Sequence, residues 1–249
     1  ALHFVATIPI VSLGAYHTHY RARGDEAPRA INVRRAAELL DGAIIAPLGR
    51  LSFNDRVGPR TFGRGFRVAH VIERGELVDG IGGGVCQVAS TLHAAAFVAG
   101  LPIIEARPHT RPLPYIPMGL DATVAYPELD LVIANPLSVP ITVRAHAEGG
   151  SLDVELLARG TPAEVRWERD VLERTEYDER VELDPSLPLG TEVVVEDGGP
   201  GFELVRTRYV RDARGERVER VHVRYPPTTR IVRRGGIEPT PEPMEPGGA

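Results

Sequence analysis

Lysine is absent. All 29 basic residues of this 249-residue chain are arginine, so any chemistry that needs a Lys amine, such as a Schiff base, is excluded. There is one cysteine. That excludes an internal disulfide framework and a cysteine-rich zinc site. No apolar run reaches the roughly 20 residues of a membrane-spanning helix; the first stretch, "ALHFVATIPIVSLGAYHTHY", contains Pro9 and breaks at Gly14. The charge is mixed, with a formal net of −5, which argues against nucleic acid as a partner. The chain opens without Met, so it reads as a piece whose signal or anchor is expected upstream, where any membrane attachment would lie.

Hydrophobic residues make up 43% of the chain, enough for one large core or two modest ones. Residues 30–41, "AINVRRAAELLD", place Val33, Ala36, Ala37 and Leu40 at helical spacing. Short strands are predicted at 67–72 and 76–78, joined by the hairpin loop "ERGE". The clearest helix follows Gly82, Gly83 and Gly84. Its stripe is Val85, Val88, Ala89, Leu92, Ala95, Ala96 and Ala99, stopped by Gly100 and Pro102. Antiparallel strands are predicted in "LPIIEARPHTR", "DATVAYPELDLVIANP" and "ITVRAHAEGGSLDVELLARG". Helices early and strands late give an α+β domain over 1–160. Residues 161–236 alternate polar and apolar residues without a helical stripe, which reads as a small all-β domain. Residues 237–249 have almost nothing to bury and are expected to be disordered.

The cysteine, Cys86, falls at the start of the glycine-led helix. Free N–H groups and the positive dipole end favour a thiolate there. A thiolate nucleophile needs a base and a group that orients the base. His93 lies two turns along the helix, about 10 Å away and out of reach. His109, in "EARPHTRP", and Asp121, in "MGLDATVAY", become neighbours beside the helix start if their strands pair as a hairpin. Cys, His, Asp in that order is similar to the transglutaminase and papain-type arrangement. Gly83 and Gly84 would let a substrate approach, and Gln87 or the N–H of Cys86 would hold an oxyanion. Arg107, Arg111 and Tyr115 complete the expected substrate-binding set. His17 and His19 share one side of a predicted strand, but two ligands make a weak metal site, and no metal or cofactor is expected.

Four stretches carry a family resemblance: "SFNDRVGPR", "GIGGGVCQVASTL", "RPHTRPLPYIPMGLDATV" and "LDLVIANP". Together with "RAINVRRAAELLDG" upstream, they make the chain resemble the VanW family to about residue 147. Residues 161–236 are similar, more loosely, to the glycine-rich β domain that often follows VanW domains. The resemblance implies an exported or anchored bacterial cell-envelope protein, associated by name with vancomycin-resistance clusters. It implies no established activity. Three readings stay open. One is a Cys86–His109–Asp121 hydrolase or acyl transferase acting on peptidoglycan stem peptides or envelope proteins. The second is a non-catalytic module that binds a peptide carboxylate through Arg107 and Arg111. The third is a structural spacer.

Overall fold

The computed structural model describes residues 8–24, 27–73 and 76–236. The tail at 237–249 and the two central residues of the "ERGE" loop lie outside them. In chain order the first half holds β1 (Ile10–His19), α1 (Ala27–Leu40), β2 (Ile44–Ile45), β3 (Arg50–Ser52), α2 (Phe53–Val57), β4 (Val68–Glu73), β5 (Glu76–Ile81), α3 (Val85–Val98), β6 (Ile103–Glu105) and β7 (Val132–Ala134). There follow β8 (Ile141–Glu148), β9 (Ser151–Arg159), β10 (Glu164–Thr175), β11 (Glu179–Asp184), β12 (Glu192–Gly199), β13 (Gly201–Asp212), β14 (Gly215–Tyr225) and β15 (Thr228–Gly235).

The main sheet is antiparallel, in the order β1-β9-β8-β2. Its period-2 pattern turns Ile141, Val143, Ala145, Leu152, Val154, Leu156 and Ala158 inward. On that face lie α1 and α3, with the predicted apolar stripes of both helices buried. Strand β1 crosses α3 at bare backbone. A Cβ on Gly14 would come within 2.8 Å of the Ala95 carbonyl oxygen, so only glycine permits this approach. A small antiparallel sheet, β3-β7-β6, and the β4–β5 hairpin close the other sides.

Side chains of the family-like stretches hold this frame. Ser52 caps α2 by accepting from the Asp55 N–H at 3.0 Å. Asp130 accepts from the N–H groups of Asn54 and Leu131, both at 2.8 Å. Asn135 donates to the carbonyls of Ile45, Ala46 and Val139.

The second half is all β, and two three-stranded sheets build it. One is antiparallel, β10-β13-β14. The other is β11-β15-β12, with β11 parallel to β15. Its long strands are mostly exposed, and its own core is small: Leu204, Val223 and Tyr225. It docks on the far end of α3. Arg208 donates to the carbonyls of Phe97 at 2.9 Å and Leu101 at 3.1 Å, and Arg217 donates to that of Gly100 at 2.5 Å. Cations thus satisfy the last carbonyls of α3, where the helix dipole favours them. The Arg206 and Arg208 guanidinium carbons lie 4.5 and 4.6 Å from the Phe97 ring centroid. This docking buries α3 on every side, beyond the one stripe that its periodicity predicts.

One expectation needs correction. Residues 106–124 do not form the predicted strands, and no hairpin carries His109 and Asp121. Pro108 removes a backbone donor inside the first predicted strand, and Pro112, Pro114 and Pro117 keep the connection extended, so pairing is confined to β6 and β7 on either side of it. The segment is an irregular loop, joined across by Thr123 N–H donating to the Arg107 carbonyl at 2.7 Å.

Candidate active site

The glycine run is a packed corner. Gly82 and Gly84 have φ of 93° and 105°, the left-handed region that glycine enters without strain. A Cβ on Gly83 would lie 2.3 Å from the His70 carbonyl oxygen of β4, and one on Gly84 would press on Arg29 and Val33 of α1. Asn32 of α1 donates to the Gly83 and Arg67 carbonyls at 2.9 and 3.0 Å. The Cβ directions of Gly83 and Gly84 therefore meet protein, so any approach of a substrate to these residues is to their backbone side.

This corner sets Cys86 in the first turn of α3, half-buried. Its thiol donates to the Val124 carbonyl at 3.4 Å. Burial raises the pKa of the thiol, but His109 outweighs this, with the Arg60 charge adding, so the net direction is down.

His109 and Asp121 face each other in the loop, with side chains 6% and 2% exposed. Asp121 Oδ2 accepts from His109 Nδ1 at 2.9 Å and from the His109 backbone N–H at 2.7 Å. With Nδ1 engaged by the carboxylate, Nε2 is the ring nitrogen left for the thiol. Burial lowers the imidazole, yet Asp121 and Cys86 outweigh it and raise it to about 9. Burial raises Asp121, and its bonds from His109 and Tyr225 hold it below the usual carboxylate range.

The remaining expected residues divide. Burial raises the Tyr115 phenol, and the Cys86 charge adds to this, so Tyr115 lines the site. Gln87 is 1% exposed and fully engaged: its amide donates to Thr18 Oγ1 and the His19 carbonyl, both at 2.9 Å, and accepts from Arg29 at 2.7 Å. It has no donor left for an oxyanion, which leaves that part to the Cys86 N–H. Arg111 pairs with Glu196 of the second domain at 2.8 Å, and Arg107 is exposed. The expected Arg107–Arg111 groove is thus divided: one guanidinium is spent on the domain contact. His93 is buried against the Leu120 carbonyl at 2.8 Å and lowered to about 4, chiefly by burial. His17 and His19 meet edge-to-face on the outer face of β1; among the described residues no group of three or more His, Cys, Asp or Glu is arranged for a metal.

Sequence reasoning missed two residues. Arg60, inside "VGPR", is largely buried, its stem against Gly82 and its guanidinium carbon 5.6 and 5.9 Å from the Phe53 and Tyr126 ring centroids. One donor reaches the Gly58 carbonyl at 2.9 Å, while Nη2 is buried without a partner. Burial lowers the Arg60 pKa, and the opposing influence of Cys86 is foremost among the charges that raise it. Tyr225 is the second. It comes from β14 of the other domain, and its hydroxyl donates to Asp121 Oδ1 while accepting from the Gly119 N–H at 2.7 Å. No local signal could reveal this, because 104 residues separate the pair.

The class is thus a mixed α/β domain, bearing a cysteine–histidine–aspartate cluster, followed by an all-β domain. Residues 28–157 match the VanW like protein family, and the chain belongs to that family. Residues 168–236 match the G5 domain. Over 152 residues the chain is 40% identical to the uncharacterized protein YoaR of Bacillus subtilis (strain 168), covering 61% of this chain and 50% of that one. It therefore spans about half the length of that curated relative. Among solved structures it is similar to the G5 domain of IgA1 protease, at 23% identity over 30% of this chain and 94% of that one, with a TM-score of 0.21. It is also similar to the G5 domain of HP0197, at 18% identity over 30% of this chain and 100% of that one, with a TM-score of 0.18. VanW and G5 domains are typical of cell-envelope proteins. No helix among the described residues is long and apolar enough to cross a membrane.

Proposed function

We propose that this is an exported cell-envelope protein whose VanW domain performs thiol-dependent acyl transfer or amide hydrolysis. The observation that supports the reading is the buried His109–Asp121 pair, whose Nδ1 bond leaves Nε2 free, together with the opposite directions of the two groups it couples, the thiol lowered and the imidazole raised to about 9. Opposite shifts on neighbouring groups are the mark of a thiolate–imidazolium pair. The carboxylate on Nδ1 and the nucleophile toward Nε2 repeat the division of roles in a Ser-His-Asp triad. The order Cys, His, Asp, with the Cys on a helix start, is that of transglutaminase and papain-type enzymes, an analogy of arrangement.

In this reading the Cys86 thiolate attacks an amide carbonyl carbon and forms a C–S bond. The carbonyl π electrons move to oxygen, which the Cys86 N–H stabilises. His109 gives its Nε2 proton to the leaving amine as the C–N bond breaks, leaving a thioester. Water, or a second amine, then attacks the thioester while His109 takes a proton, and the thiolate leaves. Asp121 keeps the ring in one tautomer throughout. The Arg60 charge beside the thiolate stabilises it. The substrate is an amide of a peptidoglycan stem peptide or an envelope peptide, the chemistry that the family context favours. The test is turnover of stem-peptide amides by the wild type and by Cys86→Ala. Loss of turnover in a folded variant is expected; full turnover would reject the nucleophile and leave a binding role.

A further inference from the structure

We propose that the G5 domain is part of the reactive site: Tyr225 is a positioning residue that holds Asp121, and through it His109, so Cys86 is armed only while the second domain is docked. The inference rests on the reading of Cys86, His109 and Asp121 as a reactive cluster, and it adds a regulator to that cluster.

Three sets of contacts carry it. First, the two carboxylate oxygens of Asp121 are divided between domains. Oδ2 takes both bonds from His109, and Oδ1 takes the Tyr225 hydroxyl. A carboxylate bonded on one oxygen alone can swing about its side-chain torsions; bonded on both, it is fixed. Second, the loop that bears Asp121 is gripped by the same domain two residues earlier. The Gly119 N–H donates to the Tyr225 hydroxyl at 2.7 Å, and the Gly119 carbonyl accepts from Arg206. Both backbone polar groups of that residue are thus held from β13 and β14. Third, the grip is seated on rigid ground. Tyr225 is 1% exposed, packed with Leu204 and Val223, and the Arg208 and Arg217 bonds fix the domain to the end of α3. The helix that carries Cys86 at its start therefore carries the second domain at its end.

The groups facing Asp121 and His109 are His109, Tyr225, Cys86 and, further off, Arg206, Tyr115 and His93. Removing the Tyr225 hydroxyl has two opposed effects. Losing a bond to the carboxylate leaves more negative charge for the imidazole, which raises His109. Losing the fixed orientation weakens the Asp121–His109 bonds, which lowers His109. A positioning role means that the second effect wins. A tyrosine without a positioning role would leave His109 where it is or raise it.

The experiment is an NMR titration of the histidine ring protons in the full chain, comparing wild type with Tyr225→Phe and assigning His109 by its loss in His109→Ala. In the wild type His109 is expected to titrate at about 9. In Tyr225→Phe its proton affinity is expected to fall by roughly tenfold or more, with a rise in the apparent pKa of Cys86 alkylation. An unchanged or raised His109 value overturns the proposal. If Tyr225→Phe does not fold, Arg206→Lys carries the test, because it keeps a charge over Phe97 but shortens the reach to the Gly119 carbonyl. A smaller fall is expected there, and an unchanged value overturns the proposal. The ring titration does not need a reactive thiol. If Cys86 proves inert while His109 still moves, the acyl-transfer reading falls and the coupling between domains stands.

Discussion

One oxygen of Asp121 accepts two hydrogen bonds from the same residue: the backbone N–H of His109 at 2.7 Å and its Nδ1 at 2.9 Å. The pair closes a short ring that sets both where the loop runs and how the imidazole lies. An Asn at this position keeps an oxygen acceptor but removes the charge. Asp121→Asn is expected to fold, to lower His109, and to raise the Cys86 thiol. Alkylation near pH 6.5 should slow by roughly tenfold or more, since one pKa unit is a tenfold change in thiolate. Iodoacetamide kinetics against pH, with circular dichroism as the folding check, measures it.

The pair also shapes the pH dependence of stability. His109 is raised on folding, so alone it stabilises fully below its unfolded value of roughly 6.5 and loses that as pH rises through about 9. Cys86 is lowered on folding, so its contribution is present above its unfolded value of roughly 8.5 and lost as pH falls toward the folded one. At any pH between roughly 6.5 and 8.5 where the native pair is thiolate and imidazolium, it holds as many protons as the unfolded chain, one on His against one on Cys, and the two slopes cancel. A plateau in denaturant midpoint is expected across that window, with a decline on either side. Cys86→Ala removes one slope and also the part of the His109 shift that Cys86 supplies, so its stability should lose the plateau and fall only by the share that Asp121 holds, from roughly pH 6.5 upward. Asp121 acts only at acid pH, its contribution being lost as pH falls below roughly 3.9 and through the folded value.

Gly83→Ala tests the packed corner. The new Cβ meets backbone, the His70 carbonyl oxygen at 2.3 Å and the Ala69 carbonyl carbon at 2.9 Å, and neither can rotate away. The expected loss is about 2–3 kcal/mol in urea unfolding. An alanine at Gly63, where nothing lies within 4 Å, should be nearly silent.

Arg208→Met tests the domain contact. It leaves the Phe97 and Leu101 carbonyls without their charged donor at the end of α3. Bonds to charged groups contribute about 1.5–3 kcal/mol, so a loss of at least about 2 kcal/mol is expected. Arg214→Ala, which removes a more exposed ion pair with Asp212, should change stability by no more than about 1 kcal/mol. Chemical denaturation of both variants gives the comparison.

Local periodicity made the two helices, the β4–β5 and β8–β9 hairpins and the all-β second half readable, because each is specified by neighbours in the chain. The three candidate residues stood out in the sequence because Cys86 sits behind a glycine corner and His109 and Asp121 lie in short distinctive stretches. The route that joins His109 to Asp121 did not. Of the two expected strands only Ile103–Glu105 and Val132–Ala134 pair, and the ring closed by Asp121 Oδ2 joins His109 to Asp121 within the loop between them. Gln87 and Arg111 looked available because nothing local shows their partners, Thr18, Arg29 and Glu196, which stand 58 to 85 residues away. Arg60 and Tyr225 escaped for the same reason: their roles exist only once distant segments pack.

The central claim is that Cys86 is a nucleophile armed by His109. The most direct measurement is the pH dependence of Cys86 alkylation by iodoacetamide in wild type and His109→Ala. An apparent pKa well below roughly 8.5 that climbs when His109 is removed is the expected result. A thiol that stays inert until the protein unfolds, or that reacts identically without His109, would contradict the account and return Cys86 to the core of the fold.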